Sequence, residues 1–460
     1  MSEQPRQITL DEWEARYACL RAAGVLPEYS YGGPLGRHVR DGDLRLRKLR
    51  FDNSPAALRL WNFLLTEEER LRQARRTGSK LVATMKDLGT VPVIVFALEG
   101  LVAFYPDGTW WTPCVMEHCD GLLRVADTLG IPDTFCPVRA MLGAFVEERQ
   151  FPRPDLIVCS AGATCDDFSA IAGRLESLGF PIFWWEIPHR QAFTGEEAVQ
   201  LPNGFVAARS QVAFVRDELE RVKAALEGLA GRRLDEAALS DGIRQANGVR
   251  GLLEELRRLV FTANPCPLPA MELLIAEMFA IHFCSDRAEC LVILAELVDE
   301  VRRRVEAGLG VLSPEAVRVY WVNPVADLRV MNLLEECGGR IGGTDHMICH
   351  ALVPIPEDVA PLEALARMAL ADPMVGSSRE RAARISREAR ALGCEAVVVS
   401  RIPGASHCGL EGAIIADTVR REAGLTVVEI EVPPLSDAML PTLRTRLEAL
   451  VETARERRRA

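Results

Sequence analysis

Residues 152–188, PRPDLIVCSAGATCDDFSAIAGRLESLGFPIFWWEIP, constrain the fold of this chain more than any other stretch. Asp155–Cys159 is a short apolar run behind a proline-rich lead-in, as a buried parallel strand requires. Asp166–Leu178 repeats its apolar residues at helical spacing, with Asp166 and Asp167 suited to the first turn. Gly179 stops the helix, and Pro181–Ile187 is the next strand. Strand, loop, helix and strand in this order form a βαβ unit. Such a unit commits the chain to a parallel sheet covered by helices.

The rest of the sequence fits around that unit. Residues 1–77 read as a helical N-terminal segment, with Ala57–Arg76 periodic and Gly78 ending it. Lys80–Thr84 and Val91–Phe96 carry strand signals, so residues 78–210 form a first α/β domain holding two of the loop cysteines discussed below. Residues 211–312 are a helical connector, with periodic runs at Gln211–Gly228, Asp235–Arg258 and Met271–Ala307. Residues 313–460 form a second α/β domain. Its strand signals are Val317–Val322, a run from Ile341, Glu395–Ser400 and Leu425–Val432. Its helices are Leu328–Cys337, Arg379–Leu392, Gly412–Ala423 and Met439–Arg455. The expected fold class is therefore α/β, with two Rossmann-like parallel-sheet domains, and the two are distant internal duplicates in outline.

A length of 460 residues also asks for two or three domains. The net charge of -11 argues against a nucleic-acid binder, which needs a basic face. No apolar run reaches the roughly 18 residues of a membrane span. The N-terminal MSEQPRQITLDEWEARY lacks a basic segment followed by an apolar one, so a cytoplasmic protein is expected. In a reducing compartment thirteen cysteines are not a disulfide framework. Most such cysteines are small buried hydrophobes; this is the expectation for Cys19, Cys159, Cys266, Cys284, Cys290, Cys337, Cys349 and Cys394.

Three cysteines stand apart. Cys165 follows the strand Asp155–Cys159 across Ser160-Ala161-Gly162-Ala163-Thr164. Cys408 follows the strand Glu395–Ser400 across Arg401-Ile402-Pro403-Gly404-Ala405-Ser406-His407. Ligands of open α/β sheets bind beyond the carboxyl ends of the strands. A helix N-terminus favours the thiolate, the form that binds metal. Small residues let the backbone approach a bulky group. Cys136, in Phe135-Cys136-Pro137-Val138-Arg139, precedes a short helix. No compact paired spacing joins the three, so spacing alone leaves the chemistry open. A zinc site around Cys114, His118 and Cys119, and a nucleophilic cysteine served by His407, are the alternatives.

Four segments together resemble the subunits of the 2-hydroxyacyl-CoA dehydratase and benzoyl-CoA reductase family, over about residue 50 to the C-terminus. They are Gly78–Phe96, Asp133–Glu147, Pro152–Pro188 and Glu395–Glu452, the last containing Leu443-Arg444-Thr445-Arg446-Leu447. The resemblance implies that Cys136, Cys165 and Cys408 are the three ligands of a [4Fe-4S] cluster with one open iron. It implies an electron from a separate ATP-hydrolysing iron–sulfur activator. That electron drives radical dehydration of a 2-hydroxyacyl-CoA through a ketyl, or reduction of an aromatic acyl-CoA. It further implies an acyl-CoA thioester substrate, a related second subunit or second copy, and an anaerobic setting. His407 is the candidate catalytic side chain beside the cluster. Met85-Lys86-Asp87-Leu88 stands where the family often carries a proline–glutamate pair, and Trp110, Trp111 and Cys114 are further departures. They leave open an iron–sulfur electron-transfer or accessory protein on the same scaffold, and more remotely a cluster-free structural subunit.

Other residues have two uses. Trp184 and Trp185 alternate on a strand and serve packing. His189 and Arg190 leave that strand at its carboxyl end and suit a cleft or a solvated turn. Arg139 is a structural ion-pair partner or a steady charge near the cluster. Arg444 and Arg446 are a solvated helix face or a grip on CoA phosphates.

Overall fold

The structure is a computed structural model that describes residues 4–24, 26, 31–39, 45–85, 89–106, 119–162, 165–191, 195, 197–282, 285–434 and 437–459. For Cys119, Asp120, His282, His407 and Cys408 it describes the backbone alone.

Two four-stranded parallel sheets organise the chain. The first comprises β1 (Lys80–Met85), β2 (Leu101–Phe104), β3 (Leu156–Gly162) and β4 (Ile182–Ile187), in the order β2-β1-β3-β4. The second comprises β5 (Val317–Val322), β6 (Gly339–Asp345), β7 (Ala396–Arg401) and β8 (Thr426–Glu431), in the order β6-β5-β7-β8. The two orders are the same. Each chain path turns back between its first and third strands, which opens a crevice at their carboxyl ends. Central strands β1, β3, β5 and β7 are apolar because helices cover both faces; Leu81, Val82, Ile157, Val158, Val319, Val397 and Val398 are all buried.

The N-terminal segment begins with a helix at Leu10–Ala22, closed by a capping box between Thr9 and Glu12. Pro55–Leu65 follows, with Ser54 accepting from the Ala57 N–H and proline in the first turn, and then Glu67–Arg76. The helical middle contains Arg209–Ala230, Glu236–Thr262, Ala270–His282 and Arg287–Glu306. The expected run Met271–Ala307 is thus two helices. Among the described residues no helix is long and apolar enough to cross a membrane.

Val91–Ala97 is a helix and not the expected strand. Six apolar residues in a row carry no period, so length and flanks must decide, and Pro92 in the first turn favours a helix. Leu101–Phe104 takes the strand position instead. The helix Ser406–Ala423 begins six residues before the expected Gly412, so Cys408 lies inside its first turn. A helix at Pro361–Leu370 has no counterpart in the sequence reading. Cys19 is exposed on the first helix, against expectation. Cys159, Cys266, Cys290, Cys349 and Cys394 are buried, and Cys337 is half-buried. Cys284 lies outside the described residues.

Buried arginines stitch distant parts together. Arg190 lies over the Phe205 ring at 4.0 Å, gives its backbone N–H to Val375 O (2.7 Å) and its guanidinium to the carbonyls of Leu370 and Asp372. It is a structural tie, not a cleft residue. Arg250 bonds Gly89 O (2.9 Å) and Val353 O (2.7 Å), and Arg340 bonds Ala263 O (2.7 Å) and Phe261 O (2.9 Å). Guanidinium suits this work because its fixed fork satisfies several carbonyls at once.

A buried carboxyl gives the fold a pH dependence. Glu272 Oε1 accepts from Asp52 N and Trp61 Nε1, both at 3.0 Å, while Oε2 has no partner among the described residues. Burial, aided by the Asp52 charge, pushes the Glu272 carboxyl up to about 8. The folded state therefore holds a proton that the unfolded chain releases near its ordinary value of 4.5. This contribution is fully present below that value and is lost as pH rises to about 8, on the order of 1 kcal/mol per pH unit. Glu272→Gln is expected to flatten the dependence of stability on pH between 5 and 8, measured by urea unfolding. An unchanged slope would show that the carboxyl is ionised in the fold.

Candidate functional site

The three cysteine loops come from different parts of the chain and meet between the two sheets. Cys136 is 6% exposed and opens the short turn Pro137–Arg139 ahead of the helix Ala140–Glu147. Cys165 is 2% exposed and is the N-cap residue of the helix Asp166–Ser177, just past β3. Cys408 occupies the equivalent place past β7, in the first turn of Ser406–Ala423. Both of these loops leave the third strand of a sheet, at the crevice that the strand order creates.

Among the described residues, two contacts show how the loops are joined. Asp167 Oδ2 accepts from the Ser406 backbone N–H at 3.0 Å and from Ser406 Oγ at 3.3 Å. The same oxygen lies 3.5 Å from Cys165 Sγ, which donates to it. The second contact is steric. Gly404 has φ +82°, and a Cβ built there would lie 2.6 Å from the Phe135 carbonyl carbon and 2.7 Å from Thr134 O. Only glycine lets the Cys408 loop lie against the backbone beside Cys136. Gly162 serves the Cys165 loop in the same way: φ is +91°, and a Cβ would lie 2.4 Å from Ile187 O.

The helix that carries Cys408 starts badly by itself. Its N-cap is Ala405, which offers no side-chain acceptor. Alanine there costs about 1 kcal/mol relative to serine or aspartate. Asp167, more than two hundred residues away, supplies the missing acceptor. The far side of the same helix is tied down by Glu411, which accepts from Arg381 Nη1 at 2.7 Å. Arg381 is buried. Its Nε donates to Asp345 Oδ2 (2.9 Å) and its Nη2 to Asn323 Oδ1 (2.7 Å). Arg384 donates to the other oxygen of Asp345, and Cys349 Sγ lies 3.2 Å from that oxygen. Asn323 and Asp345 end β5 and β6, so this network fills the carboxyl end of the second sheet beneath the Cys408 helix.

The Cys165 thiol does not behave as a helix N-terminus alone would make it. Burial pushes it up to about 12, and the Asp167 charge adds to this, outweighing the Asp167 and Phe168 N–H groups that favour thiolate. The expected lowering is therefore reversed. A cation arriving at this sulfur must expel a proton.

The remaining candidates divide. Arg139 is buried and bonds Leu123 O (3.0 Å), Ile131 O (3.2 Å) and Asp127, so its work is structural. Trp185 is buried; Trp184 is half-buried and donates to Glu176 at 3.2 Å. Arg444 pairs with Glu336 at 2.5 Å, and Arg446 donates to Glu429 O at 3.1 Å, both on the exposed face of the last helix. The His407 side chain, the Cys408 and Cys119 sulfurs, Lys86–Leu88, Trp110, Trp111, Cys114 and His118 lie outside what is described. Among the described residues no three of His, Cys, Asp and Glu are grouped to hold a metal ion. The buried sulfurs of Cys136 and Cys165 nonetheless suit an iron–sulfur group by type and burial.

Sequence reasoning missed Asp167, Ser406, Gly404 and Arg381 as builders of this site. One signal was present: a helix opening on Ala405 with no capping residue of its own needs one from elsewhere.

Compared with known proteins, residues 91–454 match the family model described as 2-hydroxyglutaryl-CoA dehydratase, D-component. No curated protein matches the chain.

Proposed function

Because the chain belongs to the 2-hydroxyglutaryl-CoA dehydratase D-component family, we propose that it is the iron–sulfur subunit of an enzyme dehydrating a 2-hydroxyacyl-CoA thioester. The observation that carries this reading is the meeting of the three cysteine loops, two of them at equivalent sheet ends, joined by the Asp167–Ser406 bonds and the Gly404–Phe135 contact.

Cys136, Cys165 and Cys408 hold a [4Fe-4S] cluster. Held there, the cluster would supply low-potential electron transfer. The chain's own residues supply the rest. Burial keeps water from the Cys136 and Cys165 side chains. The Arg381 network fixes the second sheet's end, so that the Cys408 helix keeps its place. His407, in the first turn of that helix, is the nearest candidate in sequence for moving a proton at the thioester. An ATP-hydrolysing activator delivers the electron, and a related subunit or second copy completes the substrate pocket.

The test is iron and acid-labile sulfide in anaerobically purified protein, beside Cys165→Ala. About four of each per chain are expected, with both lost in the variant. Iron-free wild-type protein kept strictly anaerobic would sink the cluster. Binding of a 2-hydroxyacyl-CoA to the loaded protein separates an enzyme subunit from an electron-transfer or accessory protein.

A further inference from the structure

We propose that Asp167 is a positioning residue for the cysteine site: it sets the separation of Cys165 from Cys408 and keeps the bound cluster's reduction potential low. The inference rests on the cluster reading above and adds a residue that is not a ligand.

Asp167 lies two residues after Cys165 and Ser406 two before Cys408, so one carboxylate oxygen links the two ligand loops close to both cysteines. The link is buried, with Asp167 only 4% exposed. The Cys408 helix has no cap of its own. Its first N–H groups need acceptors, and the one that the Ser406 N–H finds belongs to the Cys165 helix. Rotation of one loop against the other breaks this bond.

A general tie between the two sheets is a weaker account. Arg190, Arg250 and Arg340 already bridge distant elements through backbone carbonyls. None of them touches a cysteine loop in those bonds. Asp167 alone among these ties contacts a candidate ligand, and it brings negative charge to it. A fixed negative charge beside a cluster disfavours the reduced, more negative state. Low potential is what a reductant of an acyl-CoA needs.

Asparagine separates position from charge. Its amide oxygen still accepts from the Ser406 N–H but carries no charge. Wild type, Asp167→Asn and Asp167→Ala are purified anaerobically. Iron and sulfide are counted, and the potential is read by titration followed by electron paramagnetic resonance. In protein stripped of metal, the rate of Cys165 alkylation by iodoacetamide is mapped by mass spectrometry. Circular dichroism checks that each variant folds.

Asp167→Ala is expected to lose most of its iron and to alkylate Cys165 several-fold faster. Asp167→Asn is expected to keep its iron, with a potential higher than wild type. Wild-type loading and alkylation in Asp167→Ala would overturn the positioning role, and an unmoved potential in Asp167→Asn would overturn the charge role. Should Asp167→Ala fail to fold, loading and potential in Asp167→Asn decide. If wild type itself holds no iron, the cluster reading fails separately. The alkylation rates then decide the positioning role, and the charge role falls with the cluster.

Discussion

Gly404→Ala is expected to cost at least about 1–3 kcal/mol of stability and, on the cluster reading, most of the iron the protein would bind. Two effects add. The residue sits at φ +82°, where an L side chain is strained, and its Cβ would lie 2.6–2.8 Å from the backbone of Thr134 and Phe135. A flexible side chain could swing away, but a peptide carbonyl cannot. The loop beside Cys136 must therefore retreat from the Cys408 loop, which on the cluster reading parts two of the proposed ligands. Gly424→Ala is the control. It ends the same helix at φ +67° with nothing within 4 Å of the new methyl, so it feels the strain without the clash. Its cost should stay near 1 kcal/mol with iron retained. Iron and urea unfolding are measured on both. Equal behaviour of the two variants would mean that the Gly404–Phe135 contact is incidental to the site.

The βαβ unit at residues 152–188 was legible because its strands are apolar and its helix is periodic; β3, its helix and β4 fall where the sequence puts them. Val91–Phe96 was not, because an unbroken apolar run has no period to separate helix from strand. The identical order of the two sheets was also hidden. Sheet order depends on which strand lies beside which, and no local pattern encodes that. Cys165 and Cys408 were legible as loop cysteines after strands, yet no local pattern joined them, and only the family resemblance implied that they meet. Their meeting depends on an aspartate and a helix start 239 residues apart. Cys136 has no strand before its loop to mark it, and its place against Gly404 emerges only in three dimensions. Arg190 misled for a related reason. Its position at the end of β4 suits a cleft, but long side chains reach back into the fold, and this one ends buried among carbonyls.

The Arg381 network makes a second strong expectation. Arg381 is a fully buried cation held by Asp345, Asn323 and Glu411. Burial alone would lower its pKa and raise that of Asp345. The mutual attraction outweighs burial on both sides, holding the guanidinium above its ordinary value and the Asp345 carboxyl below its own. Removing one partner of such a pair leaves the other desolvated without full compensation, which costs about 3–5 kcal/mol. Arg384 still reaches Asp345, so Arg381→Met should fall toward the lower end of that range in urea unfolding. The loss also releases Asn323, which holds φ +72° at the end of β5, and Glu411 on the Cys408 helix. Iron retention should therefore weaken along with stability. Asp345→Asn removes the partner of both Arg381 and Arg384, so adding it to Arg381→Met should cost less than the sum of the two single losses, since contacting residues do not add. Simple additivity of the two would mean that the pair is not coupled. Retained iron in a destabilised Arg381→Met would mean that the Cys408 helix is held from the Asp167 side alone.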